Sequence, residues 1–313
     1  MQAAETSQVR TEFWIACGLA LTAVLCWAGN YVLGRAIRAD VPPVGLAFWR
    51  WVLASLILLP VALRAPASAW QAVKENRLAV FALALFGAAM FQSFSYLGLA
   101  RTEALNALLL LTLNPIFVMI LAYVWLGDAV TWRQIFGIVI SFCGAVYLIC
   151  RGSLEVLTSL SLNAGDLWIL AAVVTWGFYS ISLKYKPTAV PPMMLVFLTA
   201  IGGVVILIPF YVFETLVITP VQLSWPTIWA VGYTGIFASI VAFACFNGAV
   251  ARIGPSKTVT FLHLMPVVGS ILAVMFLGER FAIYHWIGFP VVFVGVLIAT
   301  TTWRLGLRAK LNS

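Results

Sequence analysis

Uncharged polar and aromatic side chains recur at helical spacing inside long apolar segments of this sequence. Trp27 and Asn30 share one face of the first segment, and Gln92 and Tyr96 share a face of the third. Amide, hydroxyl and indole groups are costly against lipid, so they should face the interior of a helical bundle. There they can hydrogen-bond an ammonium or carboxylate group while the aromatic faces stack on an apolar side chain. Helix packing is the alternative interpretation, since interhelical hydrogen bonds use the same residue types.

Two ionisable side chains and a second aromatic face extend this set. The sixth segment carries Trp176 and Tyr179, and Asn114 lies in the fourth. Arg50 lies about 10 Å from the nearer end of the second segment, at 1.5 Å per residue, where it either snorkels or binds a carboxylate. His263 in the ninth segment can exchange protons near neutral pH, and a neutral histidine bonded across helices is the alternative. The predicted solute-binding residues are Trp27, Asn30, Arg50, Gln92, Tyr96, Asn114, Trp176, Tyr179 and His263.

Two prolines occupy matching places near the middle of the fourth and ninth segments. Pro115 and Pro266 each remove a backbone donor, which frees the carbonyl four residues earlier, at Leu111 and Leu262. Freed backbone groups at mid-membrane depth can serve a solute or permit a hinge. We therefore predict hinges at both prolines, and a kink that neighbouring helices simply cover is the alternative.

The composition requires a lipid environment. Hydrophobic residues make up 63% of the 313 positions and charged residues only 9%, which excludes every water-soluble globular class. We predict an all-α polytopic membrane protein with ten transmembrane helices, whose short connections leave no room for a soluble domain. The ten apolar runs of roughly 20 residues, the length that spans a bilayer, fall near 13–33, 44–63, 78–99, 104–125, 131–150, 165–184, 193–213, 225–249, 257–277 and 282–303.

The chain contains an internal repeat. An offset of 149 places Trp27 on Trp176, and an offset of 151 aligns residues 100–144 with 251–295 at 13 identities in 45 positions. Prolines and glycines coincide repeatedly, which a shared apolar composition does not explain. Each half holds five spans, an odd number, so the second half enters the membrane from the opposite face. The sequence therefore predicts two inverted five-helix repeats.

The distribution of Lys and Arg predicts the orientation. Twelve of the 18 basic residues fall on the side that holds both termini, five fall on the other side, and Arg50 lies within a span. The positive-inside rule then makes both termini cytoplasmic, in a bacterial inner membrane. The basic residues lie singly in short loops, so they predict no nucleic-acid binding. The predicted organisation is a cytoplasmic tail over 1–12, repeats over 13–150 and 165–303, and a basic cytoplasmic tail over 304–313.

The repeated unit resembles a known family. The features that carry the resemblance are the mid-helix proline, the Leu-Gly-acid end of the fourth helix in each half, and "FWRWVLA" over 48–54. They look like the EamA unit of the drug/metabolite transporter superfamily and cover nearly the whole chain. The resemblance implies ten helices, inverted repeats and export of metabolites, and the Trp-rich character is similar to YddG-type exporters of aromatic amino acids. The second unit departs from the first at Thr199, which stands in the place of Arg50.

These features predict a secondary transporter that exports small metabolites, with aromatic and other neutral amino acids as the expected solutes, by alternating access through a central cavity. Efflux of drugs or other amphipathic metabolites is the alternative, and an intramembrane enzyme is the alternative from another class. No catalytic dyad, metal site or cofactor is predicted, because the acidic residues lie away from helix centres and the two histidines are far apart. The expected partners are a small-molecule solute and membrane lipid. Facilitated movement down a gradient is expected, with His263 as the one candidate for proton coupling.

Overall fold

The computed structural model describes residues 2–37, 41–102, 104–159, 161, 163–277 and 280–301. It contains ten long helical segments, in the places that the sequence predicts, and the basic tail predicted over 304–313 lies outside the described residues. The segments are α1 Gln2–Ile37, α2 Pro43–Leu63, α3 Arg77–Leu99, α4 Ala104–Leu111 with Asn114–Leu126, α5 Trp132–Ile149, α6 Ala164–Tyr185, α7 Pro192–Ile218, α8 Trp225–Ile253, α9 Pro255–Thr260 with Phe261–Leu264 and Met265–Leu277, and α10 Ile283–Thr300.

Nine of these segments, among the described residues, are long and apolar enough to cross a membrane. The remaining segment, α9, carries Lys257 and His263 in its first half. Two short helices, Ala67–Glu75 and Leu154–Thr158, lie in the connections, and no strand occurs in the described parts of the chain. The predicted all-α fold is therefore confirmed. α1 begins at Gln2, so residues 2–12 of the predicted tail belong to the same helix as the first span.

Local sequence chemistry sets the helix ends. Proline occupies the first turn of α2 and α7, where its missing N–H costs nothing. The Thr131 hydroxyl accepts a hydrogen bond from the Gln134 N–H and so caps α5. Gly127 ends α4 in a left-handed conformation, at φ 66°. These signals are local, which explains why the sequence places the segments to within a few residues.

The helices pack in pairs that mirror the internal repeat. α2 packs on α7 and α5 packs on α10, so these two pairs join equivalent helices of the two halves. α1 packs on α8, and its counterpart α6 packs on α3. The partners run antiparallel: at one end of the α1·α8 pair Glu12 bonds Arg252, and at one end of the α3·α6 pair Thr102 bonds Asp166. The packing therefore agrees with two halves related by an approximate two-fold axis.

Glycines let α5 and α10 approach closely. A Cβ built on Gly137 would lie 2.7 Å from the carbonyl oxygen of Gly295, and one built on Gly144 would lie 2.9 Å from the backbone nitrogen of Val292. Backbones can pack at this distance only where no side chain intervenes, as is usual for small residues between membrane helices. This pair therefore joins the halves at a fixed line of contact.

Four of the helices change their winding at equivalent places. α3 is π-helical over Ala84–Met90 and α8 over Thr234–Val241. α4 breaks between Leu111 and Asn114, and α9 tightens to a 3₁₀ turn over Phe261–Leu264. Such irregular turns often mark functional sites in helical proteins. The breaks of α4 and α9 line the cavity described below, and the π-helical segments of α3 and α8 adjoin two of its lining residues, Phe91 and Trp27.

Candidate solute-binding cavity

A cavity of about 510 Å³ lies between the two halves of the bundle. Its opening is formed by residues 100–102 and Asn163, and we call this side of the bundle the mouth end. The opposite side, which holds the start of α1 and the end of α8, is the closed end. Trp176 lies about 18 Å from the start of α6 at 1.5 Å per residue, so the cavity reaches mid-membrane depth. A volume of this size lies in the range usual for small-molecule sites.

Aromatic rings form the floor of the cavity. The rings of Trp27 and Trp176 meet edge to face, with centroids 5.1 Å apart. Phe246 packs beneath both, at 5.5 Å from Trp27 and 5.0 Å from Trp176, and Phe243 and Tyr179 complete the layer. All five rings are buried. Tyr179 and Phe246 lie further toward the closed end than the lining residues, so the layer separates the cavity from that end.

Six of the nine predicted solute-binding residues line the cavity, and they come from four helices in both halves. They are Trp27, Asn30, Gln92, Tyr96, Asn114 and Trp176. Three polar atoms of the lining are buried without a hydrogen-bond partner in the described structure: Ser95 Oγ, Asn114 Oδ1 and Trp176 Nε1. Buried polar groups are rarely left unpaired unless a ligand or water pairs with them. These three atoms lie behind the lining surface, so a solute can pair with them only if the wall shifts.

The two predicted hinge prolines lie beside the cavity, and the carbonyls that they free are already used. Pro266 lines the cavity, whereas Pro115 is buried next to it. The Leu111 carbonyl accepts a hydrogen bond from Asn114 Nδ2 at 2.9 Å. The Leu262 carbonyl accepts from the backbone N–H of Met265. These oxygens are therefore satisfied within the protein, and the side chains beside them provide the polar surface of the cavity.

Arg50 lies behind the cavity wall and is fully buried. Its Nε donates to Ser239 Oγ at 2.8 Å, and its Nη1 donates to Gln92 Oε1 at 3.2 Å and to Tyr96 Oη at 3.1 Å. Its Nη2 has no partner in the described structure, and its Cζ lies 5.3 Å from the ring centroid of Trp51. The guanidinium thus reaches the cavity only through two side chains that line it.

Tyr179 and His263 also lie outside the cavity lining. The Tyr179 hydroxyl donates to Asn247 Oδ1 at 2.6 Å, which joins α6 to α8. His263 contacts Ser141 Oγ through Nδ1 at 2.6 Å and the Thr112 carbonyl through Nε2 at 2.9 Å. Both rings are fully buried, so their polar atoms are engaged in bonds between helices. A Ser–His pair is present, but neither side chain contacts the cavity.

The π-helical segments supply carbonyls to buried indoles. The Ala88 carbonyl in α3 accepts a hydrogen bond from Trp51 Nε1 at 3.1 Å. The equivalent carbonyl in α8, that of Ala238, accepts from Trp27 Nε1 at 3.0 Å. Trp176 is the repeat counterpart of Trp27, yet the acceptor that symmetry would give it is taken by Trp51. Its indole N–H is therefore buried without a protein partner beside the cavity floor.

A polar network holds the mouth end together. Asp166 is almost fully buried, and its oxygens accept from the Thr102 hydroxyl at 2.5 Å and the Asn163 backbone N–H at 2.8 Å. Asn163 Nδ2 donates in turn to Thr102 Oγ at 2.9 Å. This network joins the end of α3 to the start of α6. The Asn-x-x-Asp capping pattern before α6 could have predicted the helix start, but not the contact with α3.

Several lining residues were absent from the predicted set. They are chiefly apolar or small hydroxyl side chains, and they include Phe91, Ser95, Leu108, Thr112, Leu262 and Met265. Phe91 and Ser95 are separated by one helical turn and flank Gln92, which is the signal that could have identified them. The others lie at the breaks of α4 and α9, where helical periodicity no longer predicts a face. Among the described residues, no group of three His, Cys, Asp or Glu side chains could hold a metal ion.

Comparison with known proteins places the chain among transporters. It is 30% identical over 266 residues to the uncharacterized transporter YyaM of Bacillus subtilis, covering 84% of this chain and 86% of that protein. It is 27% identical over 264 residues to a probable terminal-alkyne amino-acid exporter of Streptantibioticus cattleyicolor, with 82% and 83% covered. A crystal structure with 19% sequence identity superposes with a TM-score of 0.70 over 91% of this chain and 96% of that one, which supports the fold alone.

The family match follows the two repeats. The EamA-like transporter family matches residues 14–150 and again residues 163–301, which is nearly the extent of the two predicted five-helix units. The lining of the cavity, the packing of equivalent helices and the matched regions all reflect the same duplication. The chain is a multi-pass membrane protein and belongs to the EamA-like transporter family of the drug/metabolite transporter superfamily.

Proposed function

We propose that this protein is a secondary transporter that exports small metabolites, with aromatic and other neutral amino acids as its solutes, and that it has no enzymatic activity. The observation that carries this proposal is the cavity of about 510 Å³ with two tryptophans at its floor and polar side chains in its lining. Indole faces suit an apolar or aromatic side chain, and the Gln92 amide and Tyr96 hydroxyl of the lining suit the polar groups of a zwitterionic backbone. The relative in Streptantibioticus cattleyicolor, a probable amino-acid exporter by name, supports the same solute class.

Alternating access is the proposed mechanism. The cavity opens at the mouth end, while the aromatic layer and the Glu12–Arg252 ion pair lie toward the closed end. The two halves are related by the repeat, so an exchange of their conformations would close the mouth and open the opposite end. The irregular turns of α3, α4, α8 and α9 are the places where such a change would require little new strain.

The proposed orientation puts both termini in the cytoplasm of a bacterial inner membrane, with the mouth end facing outward. It rests on the excess of Lys and Arg on the side of the termini. Reporter fusions at Ser313 and after Ala39 test it, with a cytoplasmic signal expected from the first and a periplasmic signal from the second. The reverse pattern would overturn the orientation.

We further propose that the solute moves down its own gradient. The described cavity lining contains no Asp, Glu or His side chain, and His263 is enclosed by Ser141 and the Thr112 carbonyl. A carrier driven by protons usually exposes a titratable group to the solute pathway. In liposomes with equal solute on both sides, an imposed pH gradient should produce no accumulation; accumulation that His263→Ala abolishes would contradict this.

Counterflow in proteoliposomes tests the function. Purified protein is reconstituted into liposomes loaded with one unlabelled amino acid, and entry of the same labelled amino acid is measured. Aromatic and large neutral amino acids should exchange, and Trp27→Ala and Trp176→Ala should each reduce the rate at least tenfold. Trp132→Ala is the matched control, because its ring is 85% exposed on the outside of the bundle. Absence of exchange for the whole amino-acid panel would overturn the proposed solute class.

A further inference from the structure

Arg50 is a buried positive charge without a negative partner among the described residues. Its bonded acceptors are Ser239 Oγ, Gln92 Oε1 and Tyr96 Oη, all of which are neutral. The ion pair found in the described structure, Glu12–Arg252, does not involve it. A charge inside the membrane region is costly unless it is paired or solvated. Arg50 therefore carries a charge that the rest of its surroundings leaves uncompensated.

The same lack of negative partners for positive charge extends along the cavity. Arg101 is exposed at the mouth, while none of the described lining residues is Asp or Glu. Among the described residues, two buried carboxylates occur near the mouth end, and both accept hydrogen bonds. Asp166 accepts from Thr102 and the Asn163 N–H, and Glu214 accepts from the backbone N–H groups of Val44 and Gly45. Arg50 and Arg101 therefore place positive charge beside the cavity, and no acidic side chain of the described lining offsets it.

The hydrogen bonds of Arg50 orient two donors toward the cavity. The Tyr96 oxygen accepts from Arg50 Nη1, so its own O–H proton remains available, and Tyr96 lines the cavity. The Gln92 carbonyl oxygen also accepts from Arg50, which turns the amide NH₂ away from the guanidinium. A donor whose oxygen is already bonded to a cation is polarised and becomes a stronger donor. Both groups are therefore arranged to bind an anion.

We propose that Tyr96 and Gln92 form a carboxylate-binding subsite, that Arg50 acts through them as a positioning residue, and that the carboxylate is the one charged group a solute must carry. This inference rests on the proposed function and narrows its solute class. The ammonium group of an amino acid is then optional, since none of the described lining residues is an Asp or Glu that would pair with it. Amphipathic amines, which include many drugs, lack the group that compensates Arg50 and are not solutes.

The test uses four compounds that share a phenyl ring and differ in charge: L-phenylalanine, 3-phenylpropionate, 2-phenylethylamine and L-phenylalaninamide. Each is measured in proteoliposomes as a competitor of labelled L-phenylalanine counterflow, and in detergent by quenching of tryptophan fluorescence. The amino acid and the acid should bind and compete, whereas the amine and the amide should be at least tenfold weaker. Equal or stronger binding of the amine and the amide would overturn the carboxylate subsite while leaving the transporter intact. If none of the four binds or exchanges, the aromatic amino-acid function and the subsite both fail.

Variants separate recognition from packing. Tyr96→Phe keeps the ring and should reduce the ratio of acid to amine binding about tenfold. Arg50→Gln should reduce this ratio by a similar factor. Arg50→Lys, which keeps the charge, should retain more of the ratio than Arg50→Gln. Tyr233→Phe is the matched control, because its hydroxyl bonds the Cys26 carbonyl and lies outside the cavity lining. If Arg50→Gln weakens all four compounds equally, Arg50 only packs helices together and the proposal is wrong.

Discussion

In the first half of the chain the Ala88 carbonyl binds the indole of Trp51, and in the second half the equivalent Ala238 carbonyl binds the indole of Trp27. The backbone feature is the same, since both carbonyls belong to π-helical segments at matching places. The donors differ, because Ala200 stands where symmetry would place a second Trp51. The duplicated backbone is thus conserved in shape while its side chains have diverged.

The ends of α3 and α8 give a second comparison. Arg101 and Arg252 are equivalent by the repeat, yet Arg252 pairs with Glu12 at 2.9 Å, whereas Arg101 donates to the Leu97 carbonyl of its own helix at 3.4 Å. Ser161 occupies the place equivalent to Glu12. One end of the bundle is therefore joined by an ion pair and the other leaves a cation at the cavity mouth. Divergence between the halves thus gives the two ends of the bundle different polar contacts.

Substitutions at the α5·α10 contact should have the largest effect on stability. They test whether equivalent positions of the two halves pack differently. A methyl group added at Gly137 would meet the backbone of α10, with the Gly295 carbonyl 2.7 Å away, whereas one added at the equivalent Gly288 would meet the side chain of Leu148. The backbone of α10 cannot move aside, whereas the Leu148 side chain can change its conformation. Gly137→Ala should lower the free energy of unfolding in detergent by about 3 kcal/mol, and Gly288→Ala by about 1 kcal/mol.

Gly18→Ala is the control for this pair, because nothing lies within 4 Å of the added methyl group. It should leave stability unchanged or raise it by up to about 1 kcal/mol, as alanine favours a helix. Equal losses for Gly137→Ala and Gly288→Ala would indicate that the two halves pack identically along this line.

The two floor tryptophans should give an intermediate effect. Trp27→Phe removes the donor to the Ala238 carbonyl, while Trp176→Phe removes an N–H that has no protein partner. Both changes remove the same volume from a buried site, so we expect the first to lower the free energy of unfolding by about 1 kcal/mol more than the second. Thermal unfolding in detergent, without solute, measures both. A larger loss for Trp176→Phe would mean that its indole N–H is bonded within the protein.

The ion pair at the closed end should give the smallest effect. The side chains of Arg252 and Glu12 are 35% and 50% exposed, so solvent weakens their attraction. Glu12→Gln should lower the free energy of unfolding by no more than about 0.5 kcal/mol. The difference from the unchanged protein should vanish at about 1 M salt, where the screening length is near 3 Å. A difference of several kcal/mol that persists in salt would show that the pair holds the closed end shut by itself.

The sequence alone determined the framework of this protein. Runs of apolar residues specify the spans because a bilayer admits only helices whose backbone bonds are internal. Prolines, glycines and capping residues set the helix ends, since their effects are local to one turn. The repeat and the odd number of spans in each half predicted the inverted packing that the helix pairs display. Six of the predicted solute-binding residues line the cavity because polar groups within membrane spans face away from lipid.

Only the tertiary structure decided which polar side chains face the cavity and which hold helices together. Arg50, Tyr179 and His263 satisfy the same sequence rule as Gln92 and Tyr96, yet their partners come from distant helices. Each residue added to a helical turn rotates the following side chains by about 100°, so the π-helical and 3₁₀ turns reset the faces that periodicity would predict. The loss of the symmetric partner of Trp176 also depends on a neighbouring helix. Hydrogen-bond competition of this kind is a property of three-dimensional packing, and no local pattern encodes it.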